Sequence, residues 1–148
     1  MKAFKFRLAN VLNWHRTQCE LHEAAIRRFT LALEEVNAQL AQLRANKVAG
    51  EQAVLSAREL TRRDLEALAG YRIRFRKQEE ALLRAGREHE ARIVEERRLW
   101  AETRRRVRMF EKLKSRRLAQ YDYENDRELE QFAAEMYLAQ WQARAVET

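Results

Sequence analysis

The sequence predicts an all-α fold, an elongated two-helix antiparallel coiled-coil hairpin, on three observations. The 148 residues contain no proline and only three glycines, Gly50, Gly70 and Gly86, whereas sheets and many-looped folds need those residues at their turns. Ala, Leu, Glu, Gln, Lys and Arg dominate the composition, and all are strong helix formers. The large apolar residues fall in narrow seams at alternating steps of four and three, which is the pattern of a coiled coil and not of a compact globule.

The first seam runs Leu8, Leu12, His15, Cys19, His22, Ile26, Phe29, Leu33, Val36, Leu40 and Leu43. Arg27, Arg28, Glu34 and Glu35 occupy the other faces, as on a solvated helix. After Leu43 the stripe ends in Lys47 and Gly50, a glycine suited to a helix C-cap. Ser56 with Glu59, and Thr61 with Asp64 slightly downstream, are the two candidate capping boxes for a new helix. The expectation is one coiled-coil domain over residues 1–148, with helix 1 over about 3–48, a turn at about 49–56 and helix 2 over about 57–142. Helix 2 carries its own stripe, Leu65, Leu68, Phe75, Leu82, His89, Ile93, Trp100, Val107, Phe110 and Tyr121, interrupted by charged residues and Gly86. Gly70 and Gly86 should each cost about 1 kcal/mol relative to alanine. At about 1.5 Å per residue helix 2 outreaches helix 1, so Arg104 to Gln142 is expected to be largely unpaired.

Charge narrows the function classes without choosing among them. A formal net charge of +7 admits nucleic acid, an anionic membrane or an acidic protein as partner. Its distribution is uneven: Arg104 to Arg117 hold eight basic residues against Glu111, and Leu118 to Glu135 hold six acids against Arg127. A basic coiled coil that binds nucleic acid is the alternative function, on the runs RIRFRK, RRRVR and KLKSRR. Acids at helical spacing within those runs, and the acidic stretch after them, oppose it. The single cysteine, Cys19, excludes an internal disulfide framework. With no apolar run near 20 residues and no secretory leader pattern, the expected compartment is the cytosol.

No glycine-rich phosphate loop, nucleophile elbow or metalloprotease His-Glu arrangement occurs, so no enzyme activity and no cofactor are expected. His15, Cys19 and His22 share one face at a spacing open to zinc, but they lie on the seam without a fourth ligand nearby. They are therefore expected to be packing residues, and His89 likewise.

The two ends carry a further signal. FKFRLANVLNWHR at the amino terminus and FEKLKSRRLAQYDYENDRELEQFAAEMY near the carboxy terminus flank the long helical middle. Phe4, Phe6, Leu8, Val11 and Leu12 form the opening pattern. Glu111, Lys112, Leu113, Lys114, Arg116, Arg117, Tyr121, Arg127, Glu130 and Gln131 form the closing one, and LSARELTRRDLEAL lies between. In these three stretches, in their order and in length, the chain resembles the FliJ family of flagellar type III export proteins. The resemblance implies a hairpin similar to the central stalk of rotary ATPases. It also implies a non-enzymatic role in bacterial flagellum biogenesis and motility. The implied partners are the hexameric export ATPase, the cytoplasmic domain of the export gate protein and export chaperones, with the protein placed peripherally at the cytoplasmic face of the inner membrane. For the ATPase the implied contacts are Arg105, Arg108, Phe110, Lys112, Leu113, Arg116 and Arg117. For the gate, NAQLAQL supplies Gln39, Leu40 and Leu43. Tyr71 and Phe75 stand in for aromatics that the family carries near the start of helix 2.

Overall fold

The structure is a computed structural model that describes residues 3–146, with side chains described from residue 3 to 142. Residues 1, 2, 147 and 148 of the expected domain lie outside the described residues. Two helices, α1 (Ala9–Leu55) and α2 (Arg62–Val146), pack against each other as an all-α hairpin, with no strand among the described residues. The described chain divides into two compact units, one of residues 3–17 with 103–146 and one of 18–102.

The unit of residues 18–102 contains the hairpin turn. Pairs across the helices run Glu23 with Trp100, Phe29 with His89, Arg44 with Glu79, Lys47 with Phe75 and Glu51 with Arg72. Falling numbers on one helix against rising numbers on the other make the packing antiparallel. Cys19, Leu40, Leu68, Phe75 and Ile93 are buried. Ile26, Phe29, Leu33, Val36, Leu43, Leu82, His89 and Trp100 are half-buried, as their seam positions require. Leu65, expected on the second seam, is 52% exposed, because it sits in the first turn of α2 beyond the reach of α1.

The turn lies at residues 56–61, later than the expected 49–56. Gly50 is not a C-cap: it lies inside α1 with negative φ, and a Cβ at this position would meet the Tyr71 ring at 3.8–3.9 Å. Helix 1 continues to Leu55, where the Ser56 amide still donates to Gln52 O at 3.0 Å. Of the two capping boxes, α2 uses the downstream one. The Thr61 amide donates to Asp64 Oδ2 at 3.0 Å, and the Asp64 amide donates back to Thr61 Oγ1 at 3.3 Å. These two reciprocal bonds satisfy backbone donors that the helix start leaves open. The Thr61 hydroxyl also donates to Asp64, and together these bonds hold the Asp64 carboxyl below its ordinary range. The cap contribution is thus present above the ordinary carboxylate pKa and is lost as pH falls through the lowered one.

The two glycines inside α2 differ. Gly86 is buried in the seam, yet a Cβ there would lie 3.7 Å from Val36 Cγ1 and 3.8 Å from Leu33 Cδ1, ordinary van der Waals distances. Gly70 has nothing within 4 Å of its built Cβ. Both Gly86→Ala and Gly70→Ala should therefore raise stability, each by about 1 kcal/mol from helix propensity. Gly86→Ala adds a buried methyl, so thermal unfolding followed by circular dichroism should give it the larger rise in Tm.

The other unit joins residues 3–17 to 103–146. Helix 1 starts at Ala9, not near residue 3: the Ala9 amide donates to Phe6 O at 3.1 Å and the Leu12 amide to Leu8 O at 3.0 Å, while residues 3–8 are non-helical. Leu12, His15, Thr103 and Val107 are buried, Val107 completely. Arg16 pairs with Glu111 at 3.0 Å, and the Phe4 and Tyr121 rings lie 5.7 Å apart. The expectation that Arg104 to Gln142 is largely unpaired is thus corrected, since the amino-terminal segment covers α2 as far as about Tyr121. Residues 126–142 are all exposed, with Phe132 63%, Tyr137 70% and Trp141 64% accessible.

Candidate interaction surfaces

The residues implied for ATPase contact lie on α2 in the unit of the paired ends, and the fold sorts them into two groups. Arg105, Arg108, Lys112 and Arg116 are exposed, and none makes an ion pair among the described residues. Their 3-4-4 spacing places them on one side of the helix. Phe110 is not a free anchor: it is half-buried and stacks on His15, ring centroids 5.5 Å apart and planes 21° from parallel. Leu113 is half-buried, and with Arg117 and Tyr121 it lines a groove whose other wall is Phe4, Phe6 and Leu8. The two ends of the chain, far apart in sequence, form this groove together.

The residues implied for gate contact divide differently. Leu40 and Phe75 are buried in the seam and present no free side chain. Lys47 holds its ammonium 4.6 Å from the centre of the Phe75 ring, a cation–π contact that fixes the ring further. Tyr71 is half-buried against Gly50, so it also belongs to the packing. Gln39 is exposed and donates to Glu35 at 3.3 Å. Leu43 is half-buried and, with Gln39, Gln42, Asn46, Gln78 and Leu82, lines a shallow groove between the helices. Gln39 and Leu43 are thus the two residues of the set that line this groove.

The seam histidines have packing and polar partners. His15 lies between Phe110 and the edge of Trp14, 4.8 Å away, with its Nδ1 buried and without a hydrogen bond. His22 Nδ1 lies 2.7 Å from Glu96 Oε2 across the helices. Cys19 is buried and forms no disulfide.

Comparison with protein-family models, curated proteins and solved structures returned no match.

Sequence reasoning read the charged residues and Gly86 between the apolar positions of the second seam as interruptions, whereas the structure seats Glu79, Gly86, Glu96 and Thr103 in the seam itself. Glu79, Gly86, Glu96 and Thr103 fill the positions between Phe75, Leu82, His89, Ile93, Trp100 and Val107 in an unbroken 4-3 alternation, and all four are buried or half-buried. The signal was present in that spacing. Each glutamate reaches a base on α1, Arg44 for Glu79 and His22 for Glu96. Other charges pair along one helix: Glu95 and Glu102 flank Arg98, with nitrogen–oxygen distances of 2.7 and 2.6 Å. The hydrogen bond to Glu95 pushes the Arg98 guanidinium above its ordinary value, and the same bond lowers Glu95. No helix of the described residues is long and apolar enough to cross a membrane.

Proposed function

We propose that this chain is a non-enzymatic interaction protein of the FliJ type, a stalk-like component of flagellar type III protein export. In this reading it docks with the hexameric export ATPase, touches the export gate and escorts export chaperones. The observation that carries the proposal is the meeting of two of the three stretches in which the resemblance lies, the opening and the closing one. Phe4, Phe6 and Leu8 of the opening pattern share one groove with Leu113, Arg117 and Tyr121 of the closing pattern. The outward side of the same helix carries the cationic set of Arg105, Arg108, Lys112 and Arg116, all exposed and in no ion pair among the described residues. Guanidinium and ammonium groups without an ion-pair partner among the described residues keep their capacity for carboxylates on a ring subunit.

The test is capture of a hexameric ATPase by the full chain, with the triple variant R105E/R108E/K112E beside it. All three positions are exposed, so the variant should keep its helicity. It should lose at least tenfold in affinity, about 1.4 kcal/mol, at about 0.15 M salt, where exposed charges are already screened. Unchanged capture would remove this site. Saturable binding of generic duplex DNA at the same salt would instead support the nucleic-acid alternative.

A further inference from the structure

The outward side of α2 in the unit of the paired ends carries a frame of its own. Arg105, Arg108, Lys112, Ser115, Ala119, Asp122, Asp126 and Glu130 recur at steps of three and four, and all eight are exposed. At about 100° per residue they fall within about 60° of Ala119, while Thr103, Phe110 and Tyr121 of the seam lie on the far side. The frame is basic on one side of Ala119 and acidic on the other.

Within one chain this arrangement is unfavourable. Arg108 and Lys112 are like charges at i,i+4, as are Asp122 with Asp126 and Asp126 with Glu130, a spacing at which equal signs repel. Among the described residues none of these five side chains makes an ion pair. Arg98, with an acid three residues before it and another four residues after it, has the opposite arrangement. A purely anionic partner would satisfy only the basic part, and a purely cationic one only the acidic part.

We propose that this face takes a second copy of the chain, antiparallel, about a two-fold axis at Ala119. Around such an axis Lys112 faces Asp126 of the second copy, Arg108 faces Glu130, and the symmetry repeats both pairs. Ser115 comes beside Asp122, and the small side chains of Ser115 and Ala119 let the helices approach at the centre. A parallel pair would set like charges against like. Exposed ion pairs are individually weak and screened by salt, so the dimer is concentration-dependent and forms at low ionic strength. The inference does not rest on the export reading.

Sedimentation equilibrium of the full chain tests it. At about 50 mM salt the mass should rise with concentration from 17.7 kDa toward twice that value, and at about 500 mM it should return to the monomer, where the screening length is short. R108E/K112E and D126K/E130K should each remain monomeric at low salt, because every pair becomes repulsive. Mixed in equal amounts they should dimerise, since each reversed pair then meets its opposite. A chain with all four changes should dimerise by itself, which separates loss of contact from loss of fold. D126K/E130K touches no residue assigned to ATPase docking, so its behaviour reads this surface alone. A wild-type chain that stays monomeric at low salt, a dimer that either double variant retains, or a mixture that fails to associate would overturn the proposal.

Discussion

Phe75→Ala is expected to destabilise the chain by about 3–5 kcal/mol, the range for emptying a buried aromatic site. Phe75 is 5% exposed, and the loss includes the cation–π contact from Lys47, worth about 0.5–1 kcal/mol at a partly exposed site. The cavity would open in the seam close to the turn, where Tyr71 already leans on Gly50. Since total stability of a domain this size is about 5–15 kcal/mol, one such change removes a large part of it. Denaturant unfolding measures it directly: the midpoint should fall with little change in slope. The result bears on the proposed gate contact. Loss of gate binding in Phe75→Ala would follow from unfolding, whereas Gln39→Ala, at an exposed position, should leave stability within about 0.5 kcal/mol and so reports on contact alone.

Leu12→Ala should cost about 3 kcal/mol, in the middle of the range for a buried leucine. Leu12 is 2% exposed in the unit formed by the paired ends, where Val107 is fully buried. Its neighbour Val11 is 40% exposed, and Val11→Ala should change little. Hydrogen exchange separates the two outcomes from a global effect. Amides of residues 9–17 and 103–121 should lose protection in Leu12→Ala, while those of 18–102 keep most of theirs, because local openings follow local packing. Uniform loss along the chain would show that the two units open together.

The helices were legible in the sequence because their seams repeat over many turns. Leu12, Cys19, Leu40, Phe75, Ile93 and Val107 were all placed on a seam by spacing, and all are buried. The turn was not legible. Gly50 followed by Glu51 and Gln52 imitates a helix end, but it lies inside α1 beside the Tyr71 ring, where a Cβ would make only ordinary van der Waals contact. That local error spread. In an antiparallel hairpin the numbers of facing residues sum to about twice the centre of the turn, so a turn about six residues later moves every partner by about twelve. Helix 1 therefore covers α2 well beyond Arg104, and Phe110, expected as a bare anchor, lies instead on His15. The surface set was legible in part. Arg105, Arg108, Lys112 and Arg116, named as contacts through the resemblance, are exposed and in no ion pair among the described residues, whereas Leu40 and Phe75 belong to the interior that the spacing had already marked.

The constant sum of facing numbers also constrains how this chain can change its length. One residue removed from α2 between Phe75 and Ile93 would turn one end of that seam by about 100° against the other. Glu79 would then swing away from Arg44, and Gly86 away from Val36. Insertions and deletions should therefore be tolerated as whole heptads taken from both helices together, within the link at 56–61, or beyond residue 125, where no facing side chain keeps count.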